Sequence, residues 1–382
     1  MSGPLVLVTT SFPIKGDGSE AAGSFVADLA EELAKHVPVR VVAPGPSAAR
    51  QRWSGNIEVY RYAAPARPLS TLRPWHPGDL GWTARVLRGG MAATRAATGD
   101  DASHVLALWG LPCGEWARRA AKGRDIDYSV WMLGSDVWTL GRLPLLRGAL
   151  GRVIRQAAHA YADGYQLAED AQRIAGIPVA FLPSTRRIDL RDPPPPRDQP
   201  PYRLLFLGRW HPNKGVDLLL DALGLLRDED WQRIERVEIQ GGGPLEPLVR
   251  ERVAALQAQG RPVEAGRYLT KPEAEAAIAR ADWVLIPSRI ESIPVVFSDA
   301  MKLGRPVVAM PVGDLTRLIR ESPACGLVAE AVVASAFARK LACGLRKSTA
   351  DFSSGLAGVA QRFDLVVLSR GLVSRHGAEH HA

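Results

Sequence analysis

The chain has 382 residues, of which 46% are hydrophobic and 23% charged, and it carries a formal net charge of +8. That length predicts two domains of ordinary globular composition. It excludes a helical membrane span, because no stretch reaches the uninterrupted apolar length of about 20 residues that a bilayer needs. The basic balance suits phosphate-bearing partners. The arginines are scattered, however, and no nucleic-acid-binding motif is present, so nucleic acid is not an expected partner. Cys113, Cys325 and Cys343 lack CxxC spacing, which predicts neither a disulfide framework nor a metal site. The start, "MSGPLVLVTTSF", lacks a basic n-region and cleavage pattern, and a cytoplasmic location is expected.

In chain order, "LVLVTTSF" (Leu5 to Phe12) reads as a buried strand. "SFVADLAEELAKH" then places Phe25, Leu29 and Leu33 on one helical face, with Ser24 as the expected N-cap. "VRVVAP" from Val39, "HVLALWG" from His104, "DYSVWMLG" from Asp127 and "VAFLPS" from Val179 continue the strand series. Strands alternating with helices predict a parallel, doubly wound sheet. The stretch Arg186 to Tyr202 contains four consecutive prolines, which predict a stiff extended connector. We therefore expect a first domain over 1–185, a linker over 186–202 and a second domain over 203–351. A C-terminal tail over 352–382 follows. In the second domain "RLLFLG" is a strand, "GVDLLLDALGLL" a helix, and "VEIQGGG", "ADWVLIPS" and "RPVVAMPVG" further strands. Two such domains joined by a short linker predict a cleft between them, with ligands beyond the carboxyl ends of the strands.

Three motifs fall at those ends. In "FLGRWHPNKG", Arg209 and Lys214 follow a strand and precede a helix. They suit a phosphate site and read equally well as solvated loop charges; His211 between them reads as a solvated loop residue. In "EIQGGGPLEPLV", the glycines Gly241 to Gly243 let a backbone approach a ligand closely. Neither this stretch nor the one after the first strand is GxGxxG, which counts against a dinucleotide dehydrogenase. In "RIESIPVVFSDAMKL", Ser292 is the expected helix cap, Pro294 suits the first turn, and Glu291 and Asp299 stand where carboxylates line a site. The competing reading pairs these acids with Arg289 and Lys302. The segment Ala64 to Trp82, with Arg67, Arg73, Trp75 and Trp82, reads as a surface loop, with an acceptor or membrane-surface role as the alternative. Trp109 and Trp138 read as core or cleft-wall residues.

"GRWHPNKGVDLLLDAL", "QGGGP" and "PSRIESIPVVFSDAMKLGRPVVAMPVGDL", in this order and spacing, resemble the donor half of the retaining glycosyltransferases of family 4 (glycosyl transferases group 1). The first half is similar through "SFPIKGDGSEAAGSFVADLAEELAKH", "WGLP" and "LGSDVW". The resemblance implies an α/β protein of GT-B fold: two Rossmann-like, doubly wound domains facing across a cleft, with a tail that is helical and crosses back to the first. It implies that Arg209 and Lys214 hold the donor diphosphate in place of a metal, that Glu291 lies near the donor sugar hydroxyls, and that Asp299 holds the ribose. It extends the donor site to Gly208, Gly241, Gly243, Pro244, Arg267, Tyr268, Ser292, Ile293 and Val295. From the first domain it adds Gly16, Gly23, Leu133 and Asp136. The family's Glu-x7-Glu is here Glu291-x7-Asp299, one methylene shorter at the second acid. Leu133-Gly134 stands where the family commonly has His-Gly. Asp136 fits the family and reads equally as a helix N-cap.

The implied reaction moves a sugar from a UDP- or GDP-sugar to an acceptor hydroxyl with retention, without metal or other cofactor. The resemblance implies a glycan or lipid-linked acceptor and transient contact with the anionic inner membrane. Two alternatives are kept: a catalytically degenerate nucleotide-sugar or glycan binder, supported by Leu133, and a sugar-nucleotide epimerase.

Overall fold

The computed structural model describes residues 3–14, 23–67, 69, 72 and 76–377. The described chain forms two compact units. One comprises the residues up to Arg186 together with those from Leu365 on; the other comprises Arg187–Asp364.

The first unit is built on one sheet of eight strands: β1 (Leu5–Val8), β2 (Val39–Gly45), β3 (Ala49–Ser54), β4 (Ile57–Ala63), β5 (His104–Leu108), β6 (Tyr128–Met132), β7 (His159–Ala162) and β8 (Ala180–Phe181). Their order across the sheet is β3-β4-β2-β1-β5-β6-β7-β8. All pairings are parallel except β3 with β4. Every residue of β1, β5 and β6 is buried, as continuous apolar runs covered on both faces require. The polar, exposed β3 carries no such run and was not legible as a strand; it closes the sheet edge as the outer arm of a hairpin. The helices are α1 (Ser24–Leu33), α2 (Pro77–Thr98), α3 (Glu115–Lys122), the single turn α4 (Ser135–Trp138), α5 (Pro144–Arg155) and α6 (Tyr165–Ala175). One face of the sheet packs against α2, α3, α5 and α6 through Val86, Trp116, Leu150 and Leu167. The other packs against α1 through Val26, Leu29 and Leu33.

The second unit has six parallel strands: β9 (Tyr202–Arg209), β10 (Ile234–Gly242), β11 (Val263–Ala265), β12 (Trp283–Ile286), β13 (Val307–Ala309) and β14 (Gly326–Val328). Their order is β11-β10-β9-β12-β13-β14. Numbered within the unit this is 3-2-1-4-5-6, the doubly wound order in which the direction of winding reverses between the first and fourth strands. The reversal leaves a crevice beyond the carboxyl ends of β9 and β12. Its helices are α7 (Val216–Gly224), α8 (Asp228–Trp231), α9 (Glu246–Ala258), α10 (Lys271–Arg280), α11 (Val295–Lys302), α12 (Leu315–Glu321), α13 (Ala334–Gly344) and α14 (Ser353–Gln361). A last helix, α15 (Leu365–Gly377), belongs to the first unit, where Leu365, Leu368 and Leu372 are buried beside α1.

The proline-rich stretch is extended, and from Arg187 on it is bound to the second unit. Glu275 accepts the N–H groups of Asp189 and Leu190 at 3.0 and 2.9 Å. The buried Arg305 guanidinium donates to the carbonyls of Pro194 and Ala279. Asp282 accepts the N–H groups of Arg197 and Arg203 at 2.8 Å each and pairs with the Arg203 guanidinium at 2.8 Å. Prolines remove the segment's own donors, so side chains of the unit supply the bonds that hold it.

Candidate functional site

At the switch point, β9 runs into a tight turn over Pro212–Lys214. His211 closes the turn, its Nδ1 accepting the Asn213 N–H at 3.2 Å. Gly215 follows with φ 70° and starts α7. A Cβ there would lie 1.9 Å from the Pro287 carbonyl oxygen, so only glycine lets this turn lie against the end of β12. From that end, the Arg289 N–H donates to the Asn213 carbonyl at 2.8 Å. The Arg289 guanidinium reaches the Pro212 carbonyl at 2.6 Å and grips Asp217 through bonds of 2.8 and 2.6 Å. Burial works to raise the Asp217 carboxyl, and the Arg289 bond and charge outweigh it, leaving Asp217 below its ordinary value.

That frame sets Lys214 against Glu291. Their side chains form an ion pair, and the Ser288 hydroxyl donates to the same Glu291 oxygen at 3.3 Å. The two residues, 77 positions apart in sequence, thus meet at the crevice between β9 and β12. Arg289 pairs with Asp217 and leaves Glu291 to Lys214, which corrects the sequence reading that offered Arg289 as a partner of the acids. The Arg209 side chain is exposed, with no hydrogen-bond or ion-pair partner among the described residues.

The glycine turn lies next to this pair. Gly208 is in register with Gly241, and Arg209 with Gly242. Gly241 has φ 151°, and a Cβ on it would stand 1.9 Å from the Gly208 carbonyl oxygen. The Arg209 side chain passes close to Gly243, where a Cβ would come 3.3 Å from its Cγ. Pro244 is exposed at the turn's end. Tyr268, 56% exposed, donates its hydroxyl to the Gly242 carbonyl at 2.5 Å, so its ring stands over the glycine turn. Arg267 is paired with Glu273 at 2.6 Å and bonds the Tyr268 carbonyl at 2.8 Å. The pairing with Arg267, aided by Thr270, drives the Glu273 carboxyl down to about 2. The sequence had not singled out Gln240, whose Oε1 accepts the Arg267 N–H at 3.3 Å, nor Ser288, Gly215 or the Asp217–Arg289 clamp.

The acid-bearing helix starts later than expected. Pro294, not Ser292, is the N-cap of α11, with ψ 136°. The residue before a proline is pushed out of the helical region, so Ile293 cannot take part in a helical turn begun at Ser292. The Ser292 hydroxyl is buried and has no hydrogen-bond partner among the described residues. Ile293 is buried and Val295 half-buried. The N–H groups of Val295 and Val296, at the start of α11, have no intrahelical acceptor. Asp299 lies one turn further along α11, with its residue surface 0% exposed.

In the first unit Gly23, with φ 76°, caps α1 in place of the expected Ser24, because a Cβ at Gly23 would lie 2.7 Å from the Ser11 carbonyl oxygen. Gly16, Arg73 and Trp75 lie outside the described residues. Leu133 is half-buried and packs with Phe25 and Trp109 against the core under α1. Trp109, at the end of β5, has φ 75°, a strained conformation for a residue with a side chain. Asp136 is not an N-cap: Gly134 caps the short turn α4. The Asp136 carboxylate is buried and accepts the N–H groups of Gly110, Gly134 and Val137 at 2.6, 3.0 and 3.1 Å. Burial pushes its carboxyl up, and backbone hydrogen bonds, that of Gly110 foremost, pull it partly back. Asp136 thereby ties the loop after β6 to the loop after β5. Trp138 is anchored through its indole N–H to Asp170 at 2.8 Å, and Arg67 is ion-paired with Asp79.

Residues 201–347 match the family Glycosyl transferases group 1. The D-inositol 3-phosphate glycosyltransferase of Jonesia denitrificans is 34% identical over 120 residues, covering 30% of this chain and 28% of the relative. The alpha-D-kanosaminyltransferase of Streptomyces kanamyceticus is 26% identical over 195 residues, covering 47% and 49%. The chain therefore spans about half or less of the length of these curated relatives. Among solved structures, the sucrose-phosphate synthase from Thermosynechococcus elongatus superposes with a TM-score of 0.74 at 16% identity, over 98% of both chains. Anabaena HepE in complex with UDP-glucose gives 0.69 at 15% identity, over 98% of this chain and all of that one. Strand order and the likeness to these solved structures show the GT-B fold, and residues 201–347 carry the likeness to the glycosyl transferases group 1.

Proposed function

We propose that the protein is a retaining, metal-independent glycosyltransferase that moves a sugar from a nucleoside-diphosphate-sugar to an acceptor hydroxyl. One observation carries the reading: Lys214 and Glu291 meet beyond β9 and β12, where doubly wound sheets bind nucleotides. The donor's glycosidic C–O bond breaks and the diphosphate departs with the electron pair. Arg209, Lys214 and the free amides at the start of α11 stabilise the charge that develops there, as a divalent ion does in other transferases. Glu291 orients the donor sugar through its hydroxyls. The acceptor oxygen bonds to the anomeric carbon on the face the diphosphate leaves, and its proton passes to a departing phosphate oxygen. Asp299 holds the ribose, and Tyr268 and the glycine turn carry the nucleotide. The relatives named above are a D-inositol 3-phosphate glycosyltransferase and an alpha-D-kanosaminyltransferase, and the HepE structure is a complex with UDP-glucose; these names support a nucleotide-sugar donor.

We assign the acceptor to the glycan or lipid-linked class, in polysaccharide or glycolipid synthesis at the cytoplasmic face of the membrane. No described helix is long and apolar enough to cross a membrane. The test is turnover of a panel of UDP- and GDP-sugars with candidate acceptors, with product configuration read by NMR and activity compared with and without EDTA. Lys214→Ala is expected to lower kcat/KM about 100- to 1,000-fold. Undiminished turnover by that variant would remove the diphosphate assignment, and an inverted product would remove retention.

A further inference from the structure

We propose that the first unit binds an uncharged pyranose ring beyond the carboxyl ends of β1 and β5, with Trp109 as its platform. The inference deepens the glycosyltransferase reading, on which the assignment of that ring to the acceptor rests. β2 lies on one side of β1 and β5 on the other. The winding of this sheet therefore reverses there and leaves a crevice of its own for a ligand. Trp109 is the first residue beyond β5. Its φ of 75° is costly for a residue with a side chain and persists only where the surroundings impose it. Three bonds impose it. The Trp109 N–H donates to the Trp131 carbonyl at 2.9 Å, the Trp109 carbonyl accepts the Gly114 N–H at 3.2 Å, and the next N–H, of Gly110, is held by the buried Asp136 at 2.6 Å. Backbone strain maintained in this way gathers at ligand sites.

The side chains set the ligand's class. Trp109 is half-buried, as are Phe25 and Leu133 in the same cluster, and the Phe25 ring meets the indole in a T-shaped contact at 6.5 Å. The indole N–H groups of Trp131 and Trp138 are bonded to the Leu182 carbonyl and to Asp170 at 2.9 and 2.8 Å. That of Trp109 has no hydrogen-bond partner among the described residues. An indole with an unused donor suits a pyranose. The C–H face of the sugar is apolar and slightly positive and meets the negative face of the π system, while a sugar hydroxyl accepts the N–H. The stretches 9–12, 109–112 and 133–135, which follow β1, β5 and β6, contain no charged residue. Asp136 comes next, and its carboxylate is occupied by three backbone amides. The second unit, by contrast, sets Arg209, Lys214 and Glu291 beyond its switch-point strands. The site of the first unit therefore takes a neutral glycan or glycoside and not a sugar phosphate.

The experiment is saturation-transfer NMR on the full chain without nucleotide-sugar. The probes are the methyl glycosides of glucose, galactose and mannose, with glucose 6-phosphate as the charged control. Saturable binding of at least one methyl glycoside is expected, with transfer strongest to the protons of one ring face. Trp109→Phe keeps an aromatic ring and removes the N–H, and should weaken binding about threefold. Trp109→Leu should weaken it about tenfold, at an unchanged melting temperature. A second reading uses the isotope-labelled parent protein: the Trp109 indole N–H signal, identified by its loss in Trp109→Phe, should move as glycoside is added. Failure of all three glycosides to bind, binding indifferent to Trp109→Leu, or an unmoved indole signal would overturn the proposal. Glucose 6-phosphate moving that signal in preference to the neutral glycosides would overturn it too. Titration with UDP and GDP reads the second unit separately. Nucleotide binding without glycoside binding overturns this proposal and leaves the glycosyltransferase reading in place. Glycoside binding at Trp109 in a protein that turns over no nucleotide-sugar counts against that reading and not this one.

Discussion

Lys214 and Gly215 are neighbours with opposite constraints. Lys214 is placed by a partner 77 residues away, whereas Gly215 is fixed by having no side chain at all. Gly215→Ala should cost at least about 2 kcal/mol from the φ of 70° and the clash with Pro287. It should also displace Lys214, so calorimetry and donor titration should worsen together. The type and order of the charged residues at the strand ends were legible in the sequence, because cations or acids following an apolar run can be read directly. Their pairing was not. Nothing in "RIESI" says that Arg289 turns to Asp217 and Glu291 to Lys214, since that depends on which strands are neighbours. Asp136 shows the same limit: it read as a family match or a helix N-cap, but its three amide donors come from two different loops.

At the scale of elements, the strands could be read because their apolar runs are buried on both faces. Helix starts could be read less well. Ser24 and Ser292 both look like caps, yet a glycine and a proline beside them decide where the helix begins. The proline run announced a connector without showing what it rests on. Asp282, with its side chain 0% exposed, gathers backbone donors from that connector and from β9. Asp282→Ala should therefore destabilise the second unit by about 3 kcal/mol, measured by denaturant unfolding. Cys325, buried beside β14, has its thiol pushed by burial from 9.0 to about 11. A folded value raised above the unfolded one means that its contribution is complete below pH 9 and is lost as the pH rises towards 11. The loss is of the order of 2 kcal/mol. Melting temperatures between pH 8 and 11 should fall less steeply for Cys325→Ala than for the parent.

For the molecule as a whole, two doubly wound units follow from the restart of strand–helix alternation after the prolines. The chain's return to the first unit at Leu365 follows from no local periodicity, only from the groove that α1 leaves for Leu365, Leu368 and Leu372. Truncation after Asp364 should cost the first unit about 5 kcal/mol from those three side chains, read as a lowered melting temperature. In the second unit, the proposed glycosyltransferase needs the crevice at the β9–β12 switch to take a nucleoside diphosphate by its phosphates. A crystal structure of the protein with UDP or GDP bound tests this most directly. The diphosphate is expected within hydrogen-bond reach of Arg209 and Lys214, near the start of α11; a diphosphate bound away from all three would rule the proposed reaction out.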